Sequence, residues 1–345
     1  MTKRIIQLII FLSLGIFFIW ISVKNLSQDD MAKIKESAVG IFNFKSMFFI
    51  AISMISGAIA HYFRALRNIL LIDPLGYRVR ITTAFYSIMV CYLTNLAIPR
   101  LGEVLRCSFL QRYDKVPFQK SFGTVMIDRA LDLIIFVLLF VIIILLNKEL
   151  LSDLVINKEG VTLGARIDET WALIWNLKSL ISGLIIGIII GFFIKKKRKT
   201  AEKQSKIIAK FKNIITGLWQ GLISIKDLKR PYLFVIYTIA IWIFYYLGTL
   251  MCFFAFDFLQ GLGPMPAFMV LVVGAIGFMV AQGGLGAYPL IVAGILVLYG
   301  VDYAQGLAAG WIGWTAQTIM ILVVGFGVLI LASFLKIEDR AVSND

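Results

Sequence analysis

Three short stretches of this chain carry side chains whose types and spacing could do chemistry. The first is Asn95-Leu-Ala-Ile-Pro99-Arg100-Leu-Gly102-Glu103-Val-Leu-Arg106, polar and charged among apolar flanks. The second is Asp128-Arg129-Ala-Leu-Asp132, at the start of an otherwise unbroken apolar run, and the third is Gln282-Gly283-Gly284-Leu-Gly286. Guanidinium groups recognise oxyanions, and glycine-rich backbone can expose amides to an anion or let two helices pack closely. The chemistry on offer is therefore recognition of an anionic group.

Local geometry narrows the first two stretches. Pro99 has no N–H to donate and Gly102 relaxes backbone sterics, so a helix should stop there and free some of its polar groups. A helix starting just after Gly102 would place Glu103 and Arg106 at i and i+3, on one face. Asp128 and Asp132 stand one helical turn apart, whereas Arg129 points about 100° away. Charges within a membrane segment are costly, and are paired or turned to a polar cavity. One reading has Asp128 or Asp132 neutralising Arg100 or Arg106, leaving a net positive pocket for an anionic headgroup. The other has a structural ion pair that fixes one element against the next. For the first stretch the plain alternative is a cytoplasmic loop with ordinary surface charges.

Several function classes fall away early. A single histidine, His61, and three scattered cysteines, Cys91, Cys107 and Cys252, cannot build a His/Cys metal site. No phosphate-cradling G-x-x-x-x-G-K-[ST] loop occurs, so no nucleotide-driven engine is expected within the chain. Asp128 and Asp132 could be read as the paired carboxylates of an intramembrane protease, but no accompanying motif supports that. No enzyme activity, cofactor or metal is expected.

The elements that must position these residues follow from composition. Of 345 residues 60% are apolar and 16% charged, and mean hydropathy is +0.88. Soluble domains are nearer half apolar and a quarter charged. Runs such as Ile5 to Val23, Ser46 to Ala60, Ala130 to Leu146, Trp171 to Ile194, Tyr232 to Phe256 and Ala304 to Leu335 can cross about 30 Å of hydrocarbon as helices. Lys3-Arg4 before the first run suggests a signal peptide, but the run is long and lacks a small-x-small cleavage site, so it reads as a retained span.

Orientation follows from where cations collect. Residues 195–230 hold twelve basic residues against two acidic, a local +10 of the total +14, and should be cytoplasmic. Residues 147–170 balance at −2 and should lie outside. Counting back from that outer loop and forward from Lys3-Arg4 leaves both ends of Ile81 to Ile98 cytoplasmic. Ile81 to Arg112 should then enter the bilayer, turn near Pro99 and return as a re-entrant helical hairpin; the alternative is a full crossing of Ile81 to Ile98. In the second half, Pro266 to Ala281 and Ala287 to Gly300 flank the glycine break and suggest a second hairpin entered from outside.

The expected fold is an all-α polytopic membrane protein with about six full transmembrane helices and two opposed re-entrant hairpins. Residues 1–146 and 171–335 would form an inverted repeat within a single membrane domain, 1–345. The tips share Leu-Gly at the same place after the break, in Pro99-Arg-Leu-Gly-Glu103 and Gly283-Gly-Leu-Gly-Ala287. Broken helices meeting near the midplane line substrate sites in such architectures, and non-helical backbone at that depth needs protein or water around it.

Other polar groups have plainer readings. Arg64 and Arg67, with His61, sit toward the inner end of the second span, where such side chains snorkel to lipid phosphates. Gln282, Tyr288, Trp311, Trp314 and Gln317 would add hydrogen bonds or aromatic walls to the second tip, or serve as interfacial belts. Ile207, Phe211, Ile214 and Ile215 form one side of a short amphipathic helix in the basic loop, suited to the anionic inner leaflet. Nucleic acid is not an expected partner.

At these motifs the chain resembles the flippase-like family of the lysylphosphatidylglycerol synthase transmembrane region. The match rests on N-L-A-I-P-R-L-G-E-V-L-R at 95–106, D-R-A-L-D at 128–132 and Q-G-G-L-G-A-Y at 282–288. The resemblance implies that Asn95, Pro99, Arg100, Gly102, Glu103, Arg106, Asp128, Arg129 and Asp132 belong to the family signature, with the glycine tip as its second half. The family often has a proline before the Gly-Gly tip and an acid after Leu-Gly; here Ala281-Gln282 precede it and Ala287-Tyr288-Pro289 follow, so substrate preference is expected to differ. The soluble synthase domain of two-domain members is not in this chain, and lysyl transfer is not expected.

The leading expectation is a cell-membrane lipid transporter with cytoplasmic termini. It would move an anionic or zwitterionic lipid, or a lipid-linked precursor, through a midplane cavity. The substrate-binding residues would be Asn95, Arg100, Glu103, Arg106, Asp128, Arg129, Asp132, Gln282, Gly283, Gly284 and Gly286, with Pro99 and Gly102 structural. The alternative is a membrane partner of a lipid-modifying enzyme or glycosyltransferase that binds lipid without moving it.

Overall fold

The computed structural model describes residues 13, 15–24, 26–98, 100–147 and 228–334. Contacts divide the chain into two units, Met1–Val137 with Gly217–Asp345, and Leu138–Thr216. Of the second unit, the described part is the end of one helix, where Leu138, Val141, Leu145 and Leu146 are exposed. All other described elements belong to the first.

Among the described residues every regular element is helical. They are α1 (residues 15–23), α2 (Gln28–Gly40), α3 (Phe44–Ile72), α4 (Ile81–Ala97), α5 (Leu101–Asp114), α6 (Phe118–Leu146), α7 (Pro231–Phe254), α8 (Pro264–Val280), α9 (Ala287–Leu298) and α10 (Tyr303–Ala332). Caps fix the starts. The Asn43 side chain accepts from the Ser46 N–H at the head of α3, Asp302 accepts from Ala304 and Gln305 at the head of α10, and proline opens α7 and α8.

Length sorts the helices into two kinds. The segments containing α3, α6, α7 and α10 run 32, 29, 24 and 30 residues and are long and apolar enough to cross a membrane. At 17, 17 and 12 residues, α4, α8 and α9 span only about 18–26 Å, less than a hydrocarbon core. The chain is an all-α polytopic membrane protein.

The short helices pair into two antiparallel hairpins. In the first, Arg80 bonds to Asp114 at the open end of α4 and α5, while Asn95 accepts from the Gly102 N–H at the tip, 2.8 Å away. In the second, the Tyr299 hydroxyl meets the Met269 sulfur at the open end of α8 and α9, and Gly277 lies against the Tyr288 backbone near the tip. The open ends lie at opposite ends of the long helices. Ala84 and Val79 pack with Ala65 and Ile69 at the C-terminal end of α3. The α8–α9 hairpin instead follows the far end of α7, where Ala255 accepts from Ser46 at the start of α3. The tips meet: the Gln282 amide donates to the Leu96 carbonyl at 2.9 Å.

The structure shifts several expected boundaries. The span drawn from Ala130 begins at Phe118, directly after Pro117, so Asp128, Arg129 and Asp132 sit about three turns inside α6 rather than at its start. Proline preorganises such a start, and the three charges do not break the helix because each has a partner. Likewise α3 continues to Ile72, well past the apolar run, which carries Arg64 and Arg67 into the interior. Pro99, the span Trp171 to Ile194, the outer loop and the basic loop with its amphipathic helix lie outside the described residues, apart from 147 and 228–230.

Candidate functional site

A cavity of about 430 Å³ opens beside both hairpin tips, walled by α3, α4, α7, α8 and α10, with Arg129 of α6 reaching in. Its sides are mainly apolar and aromatic, including Tyr92, Trp242, Tyr245, Tyr288 and Trp314. Arg129 is the one permanent charge among the lining residues, and its side chain is 40% exposed. Such a space suits a ligand that combines apolar surface with one negatively charged group.

Arg129 is held from the side of the first tip. Its Nη2 donates to Glu103 Oε1 at 2.9 Å, and the same oxygen accepts from the Asn95 amide at 3.3 Å. Asn95 in turn holds the Gly102 N–H, so the first tip, α5 and α6 are joined through one amide side chain. Gly102 has to be glycine: a Cβ there would run into the Cys91 carbonyl of α4. On the other side, Trp314 donates to the Gly283 carbonyl at 2.6 Å, and Gln317 donates to Ser53 at 3.2 Å.

One helical face over, α6 meets a different environment. Asp128 takes Arg67 on one carboxylate oxygen at 2.6 Å and Arg106 on the other at 3.3 Å, with Arg64 at 3.7 Å. Asp132 is paired with Arg64 and, at 2.7 Å, with Arg67. Arg64, Arg67, Arg106 and Asp128 are all buried, Arg67 and Asp128 completely. The cluster ties α3, α5 and α6 together. A second thread leads back to the cavity, since Arg64 donates to the Tyr245 hydroxyl, which also meets His61, and His61 lies against the Tyr92 ring.

The expected site residues are thus distributed rather than gathered. Asn95, Arg129 and Gly283 line the cavity, and Glu103 stands directly behind Arg129. Arg106, Asp128 and Asp132 form the ion cluster. Of the pairings expected for the two aspartates, Arg106 forms one and Arg100 none: Arg100 starts α5 with a φ of 64°, is exposed and makes no ion pair among the described residues. Gln282 spans the two tips. Gly284 and Gly286 have positive φ, and a Cβ would meet the Phe278 ring at 2.9 Å or the Ile19 nitrogen of α1 at 2.8 Å, so both serve turn and packing.

Arg64 and Arg67 correct the snorkelling expectation, for both face inward to carboxylates. Their signal in sequence is the i, i+3 spacing with His61 one turn before, on one face of an otherwise apolar helix. Trp242 and Tyr245 carry no such signal, because aromatic residues one turn apart read equally well as lipid-facing.

Among known proteins, the family model described as lysylphosphatidylglycerol synthase TM region matches residues 4–325 of the chain. No curated protein and no solved structure matches the chain.

Proposed function

We propose that this chain, which belongs to the family of the lysylphosphatidylglycerol synthase transmembrane region, moves an anionic or zwitterionic lipid, or a lipid-linked precursor, between the leaflets of the cell membrane. The observation that carries this reading is the cavity beside the two hairpin tips, with one accessible guanidinium in an aromatic wall. A headgroup would place its phosphate on Arg129 while its chains stay in the bilayer, and no bond of the lipid would be broken.

The hairpins would be re-entrant, each reaching about half depth, and the halves 1–146 and 171–335 would be inverted repeats. Arg80, Arg112, Lys115, Lys120, Lys229 and Arg230 belong to the end that holds the base of α4 and α5, which would be cytoplasmic. With the first and last spans crossing fully, both termini would be cytoplasmic.

The direct bond between the tips favours a second reading, a lipid-binding partner of a lipid-modifying enzyme or glycosyltransferase that moves nothing. Reconstitution in liposomes with fluorescent phosphatidylglycerol and a membrane-impermeant quencher separates the two. Transport lets the quencher reach both leaflet populations, whereas binding alone protects the inner one. Arg129→Gln should slow exchange about tenfold or more through loss of one charged hydrogen bond. An unchanged rate removes Arg129 from the site.

A further inference from the structure

The ion cluster does not balance. Three guanidinium groups, Arg64, Arg67 and Arg106, face two carboxylates, Asp128 and Asp132. The adjoining pair of Arg129 and Glu103 is neutral in sum and leaves the surplus in place. Tyr245 accepts from Arg64 through its hydroxyl, and neither it nor His61 beyond it adds a carboxylate. Among the described residues one positive charge is therefore left over, carried by three guanidinium side chains that are each at least 94% buried. A buried unpaired charge is among the most costly features an interior can hold.

The unpartnered hydrogens point to where compensation would come. Arg106 donates to Asp128 through Nη1, but its Nε and Nη2 are buried with no partner. These two nitrogens form one edge of the guanidinium, with N–H bonds side by side, the geometry that takes an anion in a fork. Arg67 Nη1, on the other side of the same Asp128, is also buried and unpartnered. Native interiors rarely leave charged donors unmatched, and an enclosed ion accounts for several at once.

We infer that a small inorganic anion of single charge, of the size of chloride, is the sixth member of this cluster, held on the Nε–Nη2 edge of Arg106. Arg106 is 2% exposed, so a phosphate still attached to acyl chains does not reach that edge, whereas a free halide or nitrate needs only an opening of the side chains around it. The site is distinct from the lipid cavity, where Arg129 is accessible, and does not depend on whether the protein moves lipid.

The test is thermal unfolding of the purified protein, followed by intrinsic tryptophan fluorescence in detergent at fixed ionic strength. Chloride, bromide or nitrate replaces gluconate from about 1 to about 100 mM. A bound anion raises the midpoint by several degrees and the rise saturates; gluconate, too large to be enclosed, gives none. Arg106→Gln removes the surplus charge and the fork together, and should abolish the dependence. If that variant does not fold, Arg106→Lys, which keeps the charge without the fork, should weaken it at least several-fold. Bromide anomalous scattering at Arg106 is the direct counterpart. A wild-type midpoint indifferent to the anion overturns the inference, as does a dependence that survives in both variants. A rise produced by short-chain phosphatidylglycerol and not by chloride would also overturn it, since the anion would then be a lipid phosphate.

Discussion

The two hairpins reach the same meeting point by different chemistry. The first is held by charge: Arg80 to Asp114 at its base, Glu103 to Arg129 and Arg106 to Asp128 along its side. The second carries no charged residue from Pro264 to Leu298 and is held by close approach of backbones. Gly277 lies against Tyr288, and Gly310 of α10 comes so near Pro289 that a Cβ would stand 2.8 Å from its Cα. Ion pairs dictate which side chain faces where, and glycine contacts dictate how near two helices come. The first hairpin accordingly sets what the cavity presents and the second sets its shape.

Removing the hub of the charged side should have the largest effect. Asp128→Asn leaves Arg67 and Arg106 without their shared carboxylate and should cost about 3–5 kcal/mol, read as a lowered unfolding midpoint or loss of folded protein. The same change anywhere in the second hairpin has no counterpart.

Next come the tips themselves. Gly102→Ala and Gly286→Ala should each cost about 2–3 kcal/mol, since a new Cβ meets backbone in both cases. Gly294→Ala, where nothing lies within 4 Å, should be neutral or slightly stabilising by helix propensity. Equal losses at all three positions would show that close approach is not what the glycines provide. The polar link that Gln282 makes between the hairpins is smaller again: Gln282→Ala should cost about 1 kcal/mol in unfolding experiments. A larger loss would mean that the tips carry more of the fold than this bond implies.

The smallest effect lies at the open end of the second hairpin, where Asp302 follows α9, caps α10 and accepts from Lys33 at 2.6 Å. Lys33 holds the Asp302 carboxyl below its ordinary range. That contribution is complete at neutral pH and fades as pH falls below about 4 and on through the lowered value. Both side chains are more than a third exposed, so after screening by water it amounts to about 0.5 kcal/mol. Asp302→Asn should lose the acid dependence when midpoints are compared across that range.

Much of this arrangement is legible in the sequence, for physical reasons. The glycine break between Ala281 and Ala287 interrupts an apolar run too long for one short helix and too short for two spans, and the structure places α8 and α9 there within two residues. The charges at 95–106 and 128–132 stand out because nothing apolar explains them. What the sequence conceals is pairing at a distance. Arg64 and Arg67 lie about 60 residues from their carboxylates, and only packing of α3 on α6 decides that they turn inward. Arg100 and Arg106 look alike in a string, yet one positive φ at the head of α5 separates an exposed side chain from a buried one.

The step from Asp128 to Arg129 has a consequence for insertions and deletions. One residue turns α6 by about 100°, from the ion cluster to the cavity. Gaining a single residue between Phe118 and Asp128 would present the Asp128 carboxylate where the cavity now offers a guanidinium, and turn Ile127 and Leu131 toward the three buried arginines. The stretch ahead of Asp128 can change its letters far more readily than its length.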